Sequence, residues 1–445
     1  MVRKFGLGRI KAIRNIFKQR SVAWGIVNAL LLLFLLVGGQ VWAAEEPWID
    51  RTTVSGMNIF LQKTKSEVID LTLLLKSGSG LDPAAKKGTA LMMNTLVSLR
   101  LKYGPAKLGD AAVETYPDYT LVTLKTTPGN LQKALQEIRD LLVNPLYSYD
   151  VIADLKNIYG TDLKSLPAFS KAYYELNRQF YGSDHPYNDN LDPNVFATIT
   201  GTDVFRWYRQ TYQPGNAILS IAGDVDRSIE AIEAQFANLM TEPVDHRLMV
   251  QPVTLERDQA VEREDPNGRI ASVCIGFPAP RIQDPEYPAF RVLSYYLGEY
   301  MHYFEELRVK EGLFYDGEVY YSYLEKPMAP NFVFLTMTEP DTVKTVEERT
   351  LAVVRKIAAD GIPQAEIQGV VAALETAGKA RSASGRGVAT LNALSYFMQN
   401  QSLYDENLWP KLERVTTADI QKAAAKYLRH YIRVAYVPKE MPDNF

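Results

Sequence analysis

Apolar residues along this chain fall into short continuous runs and into longer stretches with helical spacing. EVIDLTLLLKSG (Glu67–Gly78) and YTLVTLKTT (Tyr119–Thr127) are short and rich in leucine, valine, isoleucine and threonine, and they predict strands. NLQKALQEIRDLLVNPL (Asn130–Leu146) repeats its large aliphatic residues three and four positions apart, which predicts an amphipathic helix closed by Pro145. KKGTALMMNTLV (Lys86–Val97) predicts a second helix, opened by a glycine–threonine pair. Near the middle, Leu255–Arg269 turns polar and charged and ends in the turn signal Asp265-Pro-Asn-Gly, which predicts a link between two domains.

The stretches on either side of this link end alike. The first closes with TITGTDVFRWYRQTYQPGNAILSIAGDVD and the second with RVTTADIQKAAAKYLRHYIRVAYVPKE. Each carries Thr-x-x-Asp (Thr200 and Asp203, Thr416 and Asp419), a pair able to cap a helix by satisfying its free N–H groups. Each then runs a helix to a tyrosine, Tyr212 or Tyr427, followed by an apolar strand. An interval of 216 residues is too long for a solenoid repeat. It predicts an α+β fold of two homologous domains, each a mostly antiparallel sheet with helices packed on one face. The expected domains are residues 45–254 and 270–445, joined by residues 255–269.

Composition adds constraints. At 445 residues, 47% hydrophobic and 23% charged, the chain suits a globular protein with more than one core. Residues 1–20 hold seven basic side chains and no acid, Ser21–Ala44 is uncharged, and small residues sit at Val41 and Ala43 in VWAAEE. This is the layout of a signal peptide over residues 1–43, so the chain is expected to be extracytoplasmic, in a periplasm or an equivalent space. The same run is long enough to span a bilayer, and an uncleaved segment would anchor the chain in a membrane. Residues 1–43 take seven of the 49 basic groups and none of the 52 acidic ones, leaving 42 against 52 and a net charge of −10. That excess of acid speaks against nucleic acid as a partner. Cys274 is the only cysteine; it lies in the apolar run ASVCIGF and reads as an inert buried thiol, so no internal disulfide is available.

LLLKSGSGLDPAAKKGTALMMNTLV (Leu73–Val97) resembles the strand, loop and helix that open the zinc site of the pitrilysin/insulinase/mitochondrial processing peptidase family, the inverzincins. Active members carry H-x-x-E-H on that helix: two histidines one turn apart ligate zinc, and the glutamate activates the metal-bound water. On this chain the first histidine falls on Leu91, the glutamate on Asn94 and the second histidine on Thr95. The third ligand, a glutamate of a later helix, falls near Thr161 or Asp162 in KNIYGTDLKS; one carboxylate does not make a zinc site. The segment between this helix and LGDAAVETYPDYTLVTLK is also shorter than the family pattern. NPLYSYD, FYGSDHPYNDNL and YQPGNAILSIAGDVD extend the resemblance through the first half.

In the second half, HYFEELRVKEGLFYDGEVYYSY resembles the family segment R-x-x-x-G-L-x-Y, here Arg308, Gly312, Leu313 and Tyr315. In active members this arginine and tyrosine complete the cleft opposite the zinc helix. A guanidinium fork and a phenol O–H can hold a carbonyl and stabilise the oxyanion formed when water attacks it. The plainer reading is a helix C-cap at Gly312 with Arg308 on the surface and Tyr315 packed at a strand start. His302 and Glu305 mimic half a metal motif without a second histidine; His185 has no assigned metal role, and His246 and His430 sit among charged residues and are expected to be exposed.

The resemblance implies a non-catalytic subunit of a heterodimeric extracytoplasmic zinc endopeptidase. It has no cofactor of its own, with zinc expected in a homologous H-x-x-E-H partner subunit and peptide or unfolded polypeptide as substrate. Arg308 and Tyr315 would act in trans. The alternative is an inactive homologue serving as a structural or peptide-binding scaffold. The signal segment generates the first expectation: N-terminal sequencing of the native protein should begin at Ala44 or Glu45. An intact Met1 in a membrane fraction would make the segment an anchor, and an intact Met1 in cytosol would refute export.

Overall fold

The computed structural model describes residues 49–104, 110–144, 149–164, 166–188, 191–241, 248, 250–266, 268–300, 302–383, 385–398 and 408–439. The chain divides into two units, Met1–Pro47 and Trp48–Phe445. The first, with the expected signal segment, lies outside the described residues. In the second, no described helix is long and apolar enough to cross a membrane.

Among the described residues, eleven strands make two sheets. The first contains β1 (Ile49–Val54), β2 (Met57–Lys63), β3 (Ile69–Leu75), β4 (Ala111–Thr115), β5 (Thr120–Thr126) and β6 (Ala217–Gly223) in the order β1-β2-β6-β3-β5-β4. The second contains β7 (Gln259–Asp265), β8 (Ala271–Pro278), β9 (Asp316–Tyr321), β10 (Asn331–Thr338) and β11 (Ile432–Pro438) in the order β7-β11-β8-β10-β9. Setting β1 aside, the two orders are the same strand for strand. Even the single parallel pairing recurs, β2 with β6 and β7 with β11, while every other pairing is antiparallel. The architecture is therefore a duplicated α+β domain.

The helices of the first half are α1 (Thr89–Tyr103), α2 (Leu131–Val143), α3 (Tyr149–Lys164), α4 (Ala168–Tyr181), α5 (Pro193–Ala197), α6 (Gly201–Thr211) and α7 (Ile229–Phe236). Those of the second are α8 (Tyr287–Leu297), α9 (Val343–Asp360), α10 (Gln364–Ala383), α11 (Gly385–Phe397), α12 (Leu408–Glu413) and α13 (Thr417–Tyr427). Thr200 and Thr416 each accept from the backbone of the aspartate three residues on, which returns a bond to the threonine N–H at 2.9 Å in both copies. The two capping boxes are thus one local solution used twice.

Two features differ from the sequence expectation. The stretch expected as a linker, Leu255–Arg269, contains β7, paired in parallel with β11. It reads as polar because it is an edge strand with most of its side chains in solvent; Asp265 at its end is buried and holds Lys171 of α4 at 3.1 Å. The sheets, moreover, are covered on both faces. Helices of the same half cover one face of each sheet, and the other face receives a helix from the opposite half. Ala172, Leu176 and Phe180 of α4 pack on Cys274, Val333, Leu335 and Val434 of the second sheet. Reciprocally, Leu391 and Leu394 of α11 pack on Phe60, Leu74, Leu121 and Ile218 of the first. Cover on both faces explains why all seven residues of β3 and all seven of β6 are buried, and why these strands are mostly apolar, interrupted by Asp70 and Thr72 in β3 and by Ser220 in β6.

Close contact across this joint depends on Gly276 in β8. A Cβ there would stand 2.7 Å from Leu176 Cδ2, so any larger residue collides with α4. Gly276→Ala is expected to cost about 1–3 kcal/mol by overpacking, and Leu176→Ala about 2–5 kcal/mol by leaving a cavity. The new methyl would enter that cavity, so the double variant should lose less than the sum of the two, as read from urea unfolding. Strict additivity would show that α4 does not bear on β8 as described.

Candidate functional site

Helix α1 begins at a backbone turn that only glycine accommodates well: Gly88 has φ +102°, and a Cβ there would lie 2.5 Å from the ring of Phe196. The Asp82 carboxylate accepts from the N–H of Gly88 at 2.8 Å and of Ala90 at 2.9 Å, capping the helix from a distance. Burial pushes the Asp82 carboxyl up to about 7, against the pull of those backbone N–H groups.

On the helix, Leu91, Asn94 and Thr95, the positions matched to H-x-x-E-H by resemblance, form neutral contacts. Asn94 is buried; its amide donates to Thr115 Oγ1 at 2.7 Å and to Thr120 Oγ1 at 3.0 Å, and its oxygen accepts from the Tyr212 hydroxyl at 2.8 Å. Thr95 donates its single hydroxyl proton to the carbonyl of Leu91, one turn back, at 2.8 Å. The Tyr159 hydroxyl, 2.6 Å from Thr95 Oγ1, must then be the donor in that pair. Tyr159 belongs to α3 and meets Phe196 edge to face, so α3 is held beside α1. Asp162 lies on α3 one turn beyond Tyr159, and its side chain, like that of Thr161, is outside the described residues.

This donor set does not fit zinc. Leu91 offers no lone pair, the oxygen of Asn94 and the hydroxyl of Thr95 are engaged, and among the described residues no group of three His, Cys, Asp or Glu side chains is placed to hold a metal. Tyr212 and Tyr159 are the residues that sequence reasoning missed as members of the site. In the sequence the first reads only as the end of a helix, and the second stands two positions before Thr161 in a helix turn without a motif of its own.

The Arg308–Tyr315 segment is a tightly held corner. A helical turn at His302–Phe304 widens into a π-helical turn, Glu305–Lys310, that carries Arg308 exposed. Gly312, at φ +66°, donates its N–H to the Arg308 carbonyl at 3.1 Å, and Leu313 donates to the Leu307 carbonyl at 3.0 Å, which closes the helix end. The Tyr315 N–H then joins β10 through the Met337 carbonyl at 2.8 Å. The ring is 51% exposed, so it is not packed into the core as the plainer reading has it, and its hydroxyl donates to the Glu339 carboxylate. That carboxylate holds the phenol above its ordinary value. Glu339 carries no signal in the sequence.

The histidines are elsewhere occupied. His302 stacks on Tyr296 at 4.3 Å between ring centroids, His185 stacks on Tyr181, and His430 is half-buried with Nδ1 3.0 Å from Asp258, not fully exposed as expected. His246 lies outside the described residues. Cys274 is buried in β8, and that burial pushes its thiol up, as suits an inert cysteine.

Residues 198–374 match the family described as "Peptidase M16 inactive domain", a stretch that does not include α1. No curated protein matches the chain by sequence. Among solved structures, a protease from Helicobacter pylori is 20% identical with a TM-score of 0.80, over 88% of this chain and 100% of the other. A peptidase M16 inactive domain from Pseudomonas fluorescens is 20% identical with a TM-score of 0.76, over 89% and 99%. The periplasmic protease PqqL from Escherichia coli is 16% identical with a TM-score of 0.71; 92% of this chain aligns with 49% of PqqL, so this chain spans about half its length. The chain thus has the fold of these peptidases and a segment resembling their inactive domain.

The donor set at Leu91, Asn94 and Thr95 generates a direct expectation. Chelator-treated protein incubated with zinc and desalted should retain far less than one zinc per chain by metal analysis. One tightly held zinc per chain would mean that a ligand set exists elsewhere.

Proposed function

We propose that this chain is the non-catalytic subunit of an extracytoplasmic zinc endopeptidase, pairing with a homologous subunit that carries H-x-x-E-H. The observation that carries this reading is the contrast between the two halves. Positions 91, 94 and 95 are knitted into neutral hydrogen bonds, whereas Arg308 and Tyr315 stand exposed on a rigid turn. Zinc, held by the partner, would supply the activated water. This chain's own part is to hold the substrate: the Arg308 fork grips a peptide carbonyl, and the Tyr315 O–H is offered to the oxyanion as charge develops. Peptide or unfolded polypeptide is the substrate class. The basic, apolar N-terminal segment supports an extracytoplasmic site, as does likeness to a periplasmic protease. Membrane attachment follows only if that segment stays uncleaved.

The competing reading is a structural or peptide-binding scaffold, and it too has an observation in its favour: the Tyr315 hydroxyl is already given to Glu339. Two substitutions separate them. Tyr315→Phe removes one hydroxyl and little volume, and losing one oxyanion donor typically costs about 10²–10³ in turnover. Arg308→Lys keeps the charge and loses the planar fork, so it should also be damaging. The native complex is purified with wild-type or altered chain, and peptide turnover is measured beside the dissociation constant of the pair. A large fall in turnover at unchanged pairing supports catalysis in trans. Turnover within about twofold, under 0.5 kcal/mol of barrier, or purification of a lone chain, makes it a scaffold.

A further inference from the structure

The partner of the Tyr315 hydroxyl sits on an unusually well-fixed corner. Glu339 follows directly on β10 and precedes Pro340, with its backbone extended at φ −65° and ψ 149°. Its carbonyl accepts from the Thr342 N–H at 3.1 Å and from the Thr342 hydroxyl at 2.9 Å. Thr338, one residue earlier, donates to the Leu313 carbonyl at 2.5 Å, tying the corner back to the turn that presents Tyr315. Backbone and phenol of Tyr315 are therefore both held from one short stretch, Met337–Glu339.

A phenol has one proton to give. While Glu339 accepts it, Tyr315 cannot donate the same proton to a substrate oxygen. We propose that Glu339 is a positioning residue that competes with bound peptide for the Tyr315 hydroxyl, restraining the tyrosine until a substrate oxyanion outbids the carboxylate. This rests on the reading of Tyr315 as a donor to substrate. Two carboxylates, of Glu339 and then Asp341, bear on the phenol, and both oppose its ionisation, which also makes it a weaker donor. Because Glu339 and Tyr315 are both exposed, the contact is open to exchange and its rearrangement disturbs no core.

Glu339→Gln leaves an acceptor of the same shape but removes the charge. Substituting an exposed side chain outside the sheet interior should leave folding intact, and Glu339→Asp, which withdraws the charge by one methylene, serves as a second variant. On the full chain alone, the Tyr315 phenol is followed by NMR with tyrosine labelled at the ring carbon bearing oxygen, the resonance being assigned by its absence in Tyr315→Phe. It should titrate above the ordinary value of about 10 in the wild type and return toward it in Glu339→Gln. In the native complex acting on a fluorogenic peptide, Glu339→Gln should raise kcat/KM about three- to tenfold, the margin of a charge-assisted over a neutral hydrogen bond. The rise should vanish when Tyr315→Phe is also present.

An unchanged phenol titration in Glu339→Gln overturns the proposal, and so does a rise that persists without the Tyr315 hydroxyl. Failure of the underlying reading looks different. There, Tyr315→Phe by itself leaves turnover unchanged, and the competition has no substrate to compete with. A damaging Tyr315→Phe beside an inert Glu339→Gln sinks the proposal alone.

Discussion

Everything else in the molecule depends on the exchange of α4 and α11 between the two sheets. Each helix lies on the strands of the half it does not belong to, and each covers a sheet face that would otherwise meet water. Burying one large aliphatic side chain contributes roughly 1.5–3 kcal/mol. Leu176, Phe180, Leu391 and Leu394 alone therefore make a coupling comparable to the net stability of a domain. The joint is stitched further by polar contacts: Tyr181 donates to the Ala329 carbonyl at 2.8 Å and Tyr119 to the Leu324 carbonyl at 3.0 Å, both reaching into the β9–β10 loop. Two domains built this way fold and hold their shape as one body, in keeping with residues 48–445 forming a single unit.

The duplication also explains where the candidate chemistry lies. In the first half, α1 occupies the chain between β3 and β4; in the second, α8 and the turn bearing Arg308 occupy the chain between β8 and β9. These are equivalent segments of the two copies. One position of the duplicated unit thus supplies both helix α1 and the turn that bears Arg308 and Tyr315. The first copy here carries no ligand at its three motif positions, and the second keeps both side chains in solvent.

The duplication is legible in the sequence because capping boxes are local: Thr-x-x-Asp specifies a helix start wherever it occurs, and Thr200 and Thr416 do so identically. That Leu91, Asn94 and Thr95 offer neither imidazole nor carboxylate is equally plain, since it is a matter of which atoms are present. What escapes is tertiary. Nothing in α4 or α11 marks a helix as destined for the other half's sheet, because an apolar stripe fits any apolar face. The polar run of β7 passes for a linker for a related reason: strand pairing at an edge needs backbone groups, not apolar side chains. Glu339 is invisible because its role comes from a corner that brings residues 315 and 339 together.

The network around Asn94 shows a position whose polar atoms are fully engaged within the first half. Thr120 gives its only hydroxyl proton to the Ser77 carbonyl at 3.0 Å, so toward Asn94 it presents lone pairs. The amide of Asn94 answers with an N–H. A carboxylate of the same shape has no proton to offer and would set oxygen against oxygen in a buried place, where an unmet polar group costs about 1–3 kcal/mol. Hydrogen-bond direction at this site therefore selects an amide over an ionised base. Placing two histidines and a glutamate at positions 91, 94 and 95 would have to undo a satisfied buried network as well as supply ligands. Positions 91, 94 and 95 of the first half are thus held in neutral contacts, while the turn of the second keeps Arg308 and Tyr315 in solvent.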